Sequence, residues 1–259
     1  MKNRITELFD TKNKDILSVF YTAGFPSLDS TVVVARELEL AGADIIEIGI
    51  PFSDPVADGP TIQESNKVAL DNGMNVKLLI DQVKEIRKQS KLPIILMGYL
   101  NPVMQYGIER FVRDAAMAGV DGLILPDMPL HEFEEHYKEL FHVHNLCNTF
   151  LISPTTSEDR IRKIDSATEG FIYAVSASST TGAKRDFSTE QIDYFKRLQS
   201  LQLKNPFLIG FGISDHATFS KASSYGAGAI VGSAFVTLLK ESKNQKADIE
   251  SFVKKLKGA

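Results

Sequence analysis

Residues 44–63 read DIIEIGIPFSDPVADGPTIQ, and this stretch decides the fold. Its first six residues are mostly β-branched and apolar, which is typical of a strand that is covered on both faces. Glu47 interrupts the apolar run. Because a carboxylate is costly to bury without partners, Glu47 is either a structural acid paired with a basic residue or a functional group.

The loop that follows this strand is held in one shape by prolines and a glycine. These residues are Pro51, Pro55, Gly59 and Pro60. The loop also carries Asp58, so one acid lies near the end of a strand and another lies on a rigid loop above it. Two carboxyl groups in unlike environments can have pKa values that are pushed apart, one acting as an acid and the other as a base. The stretch therefore predicts that Glu47 and an acid of this loop, Asp54 or Asp58, have different roles as acid and base.

Length and composition are those of an ordinary globular protein. The chain has 259 residues, 43% of them hydrophobic and 24% charged, with a net charge of -4. This length suits a single (β/α)₈ barrel domain over residues 1–259, and the negative charge argues against nucleic-acid binding. The sequence has no run of about 20 apolar residues and no signal-peptide pattern, so we expect a cytoplasmic protein. Cys147 is the single cysteine, expected to be buried rather than reactive.

Short apolar runs alternate with amphipathic segments along the chain. The predicted strands are 16–21, 44–49, 93–97, 121–125, 146–151, 171–175, 207–209 and 229–231. The predicted helices are 28–40, 61–70, 75–89, 108–118, 131–141, 157–164, 189–201 and 215–223, with an extra helix before the first strand and a helical region after the last. This alternation predicts an α/β protein, a (β/α)₈ TIM barrel with an extra N-terminal helix. An open doubly wound sheet is the alternative, but residues 22–26 lack its glycine fingerprint.

In such a barrel the residues that directly follow the strands share one face, and that face holds the active site. The polar and glycine candidates there are Glu47, Asp58, Tyr99, Asn101, Asp127, Tyr173, 210–212, Gly232 and Ser233. Glycines let the backbone approach a ligand, and the Gly232–Ser233 pair opens a helix whose free N–H groups attract anions. We expect a phosphate site here, to which Gly182 adds a donor, although glycines that only permit tight turns are the alternative.

The remaining side chains limit the chemistry. Lysine is missing from these strand ends apart from Lys184, so a Schiff-base mechanism lacks its nucleophile. His142 and His144 fall between a helix and the next strand, on the opposite face, and we expect no metal site. Carboxyl groups, a tyrosine and apolar residues such as Leu96 remain. They predict acid–base chemistry on a phosphorylated substrate that has an apolar part.

Residues 47–63 resemble the signature of the tryptophan synthase α subunit family. Further segments resemble the family in the same order over nearly the whole chain: FYTAGFPS, MGYLNPVMQYG, GVDGLILPDMP, GFGIS and GSAFV. The resemblance implies a TIM-barrel lyase that cleaves indole-3-glycerol phosphate into indole and glyceraldehyde 3-phosphate. It also implies a β-subunit partner in an αββα heterotetramer. Pyridoxal phosphate would be held by that partner, and this chain would carry no cofactor.

The resemblance also implies roles for individual residues. Glu47 would be the catalytic acid–base, Asp58 would lie near the indole nitrogen, and Tyr173 would lie near Glu47. The indole pocket would be lined by Phe20, Tyr99, Ile124 and Phe211. The phosphate would be held by Gly182, Gly212, Gly232 and Ser233, with Thr181 in a lid over residues 176–187.

One departure from the family concerns this lid. Ala177 and Ser179 stand where the family usually has arginine and glycine, so lid closure and its coupling to a partner are expected to differ. The sequence leaves two other hypotheses about function open: a different phosphate-binding barrel such as a sugar-phosphate isomerase, and a non-catalytic activating subunit. The family also contains free-standing homologues that release indole, and the altered lid keeps this variant of the lyase among the alternatives.

Overall fold

The computed structural model describes residues 2–176 and 187–258. Its strands are β1 Ile16–Thr22, β2 Ile45–Gly49, β3 Ile94–Met97, β4 Gly122–Ile124, β5 Cys147–Asn148, β6 Leu151–Ile152, β7 Ile172–Val175, β8 Phe207–Gly210 and β9 Gly228–Val231. Its α-helices are α1 Arg4–Thr11, α2 Ser30–Ala41, α3 Pro60–Asp71, α4 Val76–Arg87, α5 Leu100–Tyr106, α6 Ile108–Ala118, α7 Leu130–Glu132, α8 Lys138–Val143, α9 Glu158–Ala167, α10 Thr189–Ser200, α11 His216–Tyr225, α12 Ser233–Glu241 and α13 Gln245–Lys257. Within these residues no helix is both long enough and apolar enough to cross a membrane.

The strands form one parallel sheet in the order β5-β4-β3-β2-β1-β9-β8-β7-β6. Its two end strands, β5 and β6, are consecutive pieces of the single strand that the sequence predicts over 146–151. The Thr149 N–H donates to Leu123 O at 3.1 Å, and the Tyr173 N–H donates to Phe150 O at 3.0 Å. This stretch therefore bonds to both neighbours and joins the sheet to itself, which confirms the predicted barrel.

Two helical regions differ from the sequence prediction. The structure has an additional helix, α5, where a loop around Pro102 was expected. Pro102 lies in the first turn of α5, where the missing N–H has no helical acceptor and costs little. The predicted helix over 131–141 is divided into α7, a π-helical segment Phe133–Tyr137 and α8.

Helix α1 closes the barrel at the N-terminal ends of the strands. Ile5 is fully buried, and a methyl group on Gly122 or Gly170 would lie within 2.9 Å of its side chain. The Phe9 ring lies 5.7 Å from the Phe171 ring, centroid to centroid. The extra N-terminal helix is thus confirmed, and it leaves the carboxyl ends of the strands as the accessible end of the barrel.

Side chains alternate between the barrel interior and the outer layer beneath the helices, as the two-residue period of a strand requires. The interior cluster contains buried residues from most strands, including Ile16, Ile45, Ile95, Ile124, Leu208 and Ile230. The intervening residues, such as Leu17 and Ile46, belong to the larger cluster that packs against the helices. Glu47 shares the alternation of Ile45, so its carboxyl group lies inside the barrel among apolar side chains.

Candidate active site

Glu47 lies in the middle of β2 and is completely buried. It is paired with Phe20 on one side and with Ile95 on the other. The Ser18 hydroxyl donates a hydrogen bond of 2.6 Å to Glu47 Oε1. The other oxygen, Oε2, has no hydrogen-bond partner among the described residues. The carboxyl group is therefore hydrogen-bonded through one oxygen, while the other is buried and unpaired in the described structure.

Burial raises the pKa of Glu47 from 4.5 to about 7, although the hydrogen bond from Ser18 acts in the opposite direction. Desolvation disfavours the charged form, and this cause outweighs the donor. At neutral pH the group is thus divided between the acid and the carboxylate. A general acid–base is most efficient when its pKa lies near the working pH.

Asp58 lies on the loop between β2 and α3, immediately before the helix N-cap Gly59. The Asn66 side chain on α3 donates to Asp58 Oδ2 at 3.4 Å. Partial burial raises the pKa of Asp58, while hydrogen bonds from Tyr99 and Asn66 oppose that rise. The Tyr99 hydroxyl also accepts the Ala57 N–H at 3.0 Å, which fixes the loop to β3's end.

Tyr173 lies on β7, across the barrel from the strand that carries Glu47. The pKa of Tyr173 is raised by burial first and then by the charges of Glu47 and Asp58, so the two acids lie close enough to act on the Tyr173 hydroxyl. The Tyr173 ring meets the edge of the Phe211 ring at 6.2 Å. A methyl group on Gly210 would lie 2.3 Å from the Tyr173 hydroxyl, so only glycine fits beneath this ring.

The predicted apolar lining is also gathered at this end. Phe20 lies between the ends of β2 and β9. A β-carbon added to Gly49 would lie 2.6 Å from the Phe20 ring, and one added to Gly232 would lie 3.7 Å from it. Ile124 is fully buried in the interior cluster with Tyr173. Tyr99 packs against Phe52 with ring centroids 5.5 Å apart. These rings supply the flat apolar walls that an aromatic substrate requires.

The glycine segments after β8 and β9 present backbone rather than charged side chains. Phe211 and Gly212 have consecutive left-handed conformations, with φ values of 69° and 78°. The Ser176 hydroxyl donates to Phe211 O at 2.7 Å and holds this turn. Helix α12 begins at Ser233 after the N-cap Gly232, and its first turn contains no acidic residue. Free N–H groups at such a helix start favour an anion.

Several candidate residues have other positions. Asn101 is exposed on α5. Asp127 accepts the Leu100 N–H at 2.9 Å, so its carboxylate caps the start of α5. Thr181, Gly182 and the lid departures lie outside the described residues. Among the residues that the structure describes, no group of three or more His, Cys, Asp or Glu side chains could hold a metal ion.

Two site residues escaped the sequence analysis, Ser18 and Asn66. Ser18 carried a signal, because it is a polar residue at an inward position of the apolar strand ILSVFYT. Asn66 carried none, since its side chain reaches Asp58 only through the fold of the loop before α3.

The fold and the site define the class of protein: a (β/α)₈ barrel with a buried glutamate, a second and partly buried carboxyl group, and a helix start without acidic residues, all at the carboxyl ends of the strands. The family model for "Tryptophan synthase alpha chain" matches residues 7–258. The tryptophan synthase alpha chain of Flavobacterium psychrophilum is 50% identical over 254 residues, 98% of this chain and 99% of that protein. The Bacteroides thetaiotaomicron alpha chain is 48% identical over 257 residues, 99% of both.

Solved structures agree with the sequence comparisons. The alpha subunit of Legionella pneumophila superposes with a TM-score of 0.90 at 32% identity, covering 100% of this chain and 98% of that one. A Pyrococcus furiosus tryptophan synthase complex gives a TM-score of 0.87 at 34% identity, covering 95% and 99%. This chain belongs to the tryptophan synthase alpha chain family.

Proposed function

We propose that this chain cleaves indole-3-glycerol phosphate into indole and glyceraldehyde 3-phosphate, with Glu47 and Asp58 as its proton-handling pair. This carbon–carbon lyase reaction is the α reaction of tryptophan biosynthesis, and membership of the family supports it. The observation that supports the assignment of residues is the completely buried Glu47, whose Oε2 has no hydrogen-bond partner among the described residues and whose charge, like that of Asp58, acts on Tyr173.

The chemistry requires two groups on opposite sides of the indole ring. Glu47 gives its proton to ring carbon C3, while Asp58 accepts the hydrogen bond of the ring N–H and stabilises the positive charge that develops there. The Glu47 carboxylate then takes the proton of the C3′ hydroxyl as the bond from C3 to the glycerol chain breaks. The bonding electrons return to the ring, which leaves indole and an aldehyde, and Glu47 is protonated again.

Backbone groups hold the phosphate in this proposal. The turn at Phe211–Gly212 and the helix start at Gly232–Ser233 supply N–H donors at neighbouring strand ends. The dipole of α12 favours the negative charge, and the absence of an acid from its first turn leaves that field uncancelled. The contributions of Thr181 and Gly182 stay predictions.

We further propose that the chain assembles with a β subunit in an αββα heterotetramer, in the cytoplasm, with pyridoxal phosphate bound by the β subunit alone. The similarity to a solved tryptophan synthase complex supports a partner. The loop that carries Asp58 also exposes a large apolar side chain, Val56, to 87%. A partner that covered Val56 would act directly on the position of Asp58.

The experiment is incubation of the purified full chain with indole-3-glycerol phosphate, with and without a β subunit. We expect indole and glyceraldehyde 3-phosphate in equal amounts, formed faster with the partner. Formation of neither product under both conditions would contradict the proposed function.

A further inference from the structure

Ser18 is a polar residue in an apolar layer of the barrel interior. It is completely buried on β1, paired with Ile45 on one side and with Ile230 on the other. An aliphatic side chain would fill this position without any polar group to satisfy. A buried hydroxyl is tolerated when it is hydrogen-bonded, and the one acceptor that Ser18 reaches in the described structure is Glu47 Oε1, at 2.6 Å.

The direction of this hydrogen bond decides where the Glu47 proton resides. If the proton were on Oε1, that oxygen would become the donor, and the Ser18 hydrogen would lose its acceptor in an apolar layer. With the proton on Oε2, Ser18 donates to Oε1 whether Glu47 is protonated or ionised. The hydrogen bond therefore persists through both states only when Oε2 is the atom that gains and loses the proton.

We propose that Ser18 is a positioning residue, which holds Glu47 Oε1 and thereby presents Oε2 as the atom that transfers protons to and from the substrate. This inference rests on the proposed function of Glu47. Ser18 keeps its own proton throughout, and the proton that moves passes between Oε2 and the substrate. Oε2 has no hydrogen-bond partner among the described residues, which agrees with the different roles of the two oxygens.

The same contact also tunes the acid. Burial raises the pKa of Glu47 and the hydrogen bond from Ser18 lowers it, so the balance near 7 depends on both. Removal of the hydroxyl leaves burial unopposed. The carboxyl group would then gain rotational freedom and would titrate at a higher pH.

The test compares Ser18→Ala with the unchanged chain, each as the full chain with the β subunit, over a range of pH. We expect kcat to fall about tenfold, the value of one hydrogen bond to an ionisable group, with KM changed less than about twofold. The pH midpoint of the limb of kcat that reports Glu47 should move to higher pH. This midpoint does not depend on the fraction of enzyme that is correctly folded. Ser18→Thr, which keeps the hydroxyl, should restore the midpoint and part of kcat.

Ser223→Ala is the matched control, because Ser223 is equally buried on α11 and its hydroxyl has no partner in the described structure. We expect this variant to have unchanged kinetics. Unaltered kcat and an unmoved pH midpoint in Ser18→Ala would overturn the positioning role. Activity in Glu47→Gln would instead overturn the proposed role of Glu47, and absence of both products from the unchanged chain would overturn the proposed function, so these failures are distinguishable.

Discussion

The two halves of the barrel mouth are built from different parts of the chain. The half near β1–β3, which we call the acid half, uses side chains: Ser18, Glu47, Asp58 and Tyr99. The half near β8–β9, which we call the glycine half, uses backbone: 210–212, Gly232 and Ser233. The acid half contains two acids with raised pKa values, whereas residues 210–214 and 232–236 contain no charged side chain.

This difference agrees with the roles proposed for the two halves. Proton transfer needs a group whose two charge states lie close in free energy, and burial of a carboxyl group achieves this. Phosphate binding needs donors that never change their charge state, and backbone N–H groups at a helix start provide them. Changes in the acid half should therefore act on turnover, and changes in the glycine half should act on affinity.

Glu47→Gln should have the largest effect. The amide is nearly isosteric with the acid but transfers no proton, so we expect kcat to fall at least about 100-fold while glycerol phosphate binds as before. Indole release under saturating substrate measures this. Glu134→Gln on the exposed π-helical segment is the control and should be fully active. Retention of half the activity would remove Glu47 from the mechanism.

Asp58→Asn should have the next largest effect, a loss of roughly tenfold to 100-fold in kcat, because the hydrogen bond to the ring N–H loses its charged acceptor. Steady-state kinetics with indole-3-glycerol phosphate measures it. The exposed Asp71, paired with Lys67 at 2.6 Å, offers Asp71→Asn as a control with little expected effect. An effect of Asp58→Asn confined to glycerol phosphate affinity would show that the role is misassigned.

Gly232→Val should act in the glycine half alone. The structure has room for the first added carbon, which would lie 3.7 Å from Phe20, so we expect the fold to persist. The branched side chain would obstruct the N–H groups of α12, and the affinity for glycerol phosphate should fall about tenfold. Calorimetric titration with glycerol phosphate and with free indole separates the halves, since indole affinity should be nearly unchanged. Equal weakening of both ligands would indicate misfolding.

The last prediction concerns stability rather than turnover. Burial raises the pKa of Glu47 in the folded chain, so between its unfolded value of 4.5 and about 7 the folded state binds the proton and the unfolded state does not. Stability contributed by the neutral acid is therefore lost as pH rises through this window. As the pH rises from 4.5 to about 7, the free energy of unfolding of the unchanged chain should fall by up to roughly 3 kcal/mol relative to that of Glu47→Gln. Urea unfolding of both proteins at pH 4.5 and pH 8 measures the difference, and a constant difference would contradict it.

The sequence predicted the barrel because its signal is repeated: apolar runs alternate with amphipathic segments around the whole ring. It could not predict that residues 147–152 serve two neighbours as β5 and β6, because that division depends on closure of the ring. No helix was predicted from the sequence between 97 and 108, where the structure has α5 with Pro102 in its first turn, a position that tolerates proline.

Polar residues at strand ends and the acid within β2 were named from the sequence, but Ser18 within β1 and Asn66 on α3 were passed over. Glu47 was found because an acid in an apolar strand is costly, and the same argument applied to Ser18 would have found its partner. Asp127 was a candidate because of its position after β4. In the structure its carboxylate accepts the Leu100 N–H and caps helix α5. Only the fold shows which of the polar groups at the mouth face one another.

The most direct test of this account is a titration of the Glu47 carboxyl group by carbon-13 NMR, with the signal assigned by its loss in Glu47→Gln. If burial keeps this group poised between acid and base, Glu47 in the ligand-free chain has a pKa of about 7. A midpoint near 4.5, the ordinary pKa of a glutamate, would show that the carboxyl group is hydrated or paired with a cation and would contradict the central claim.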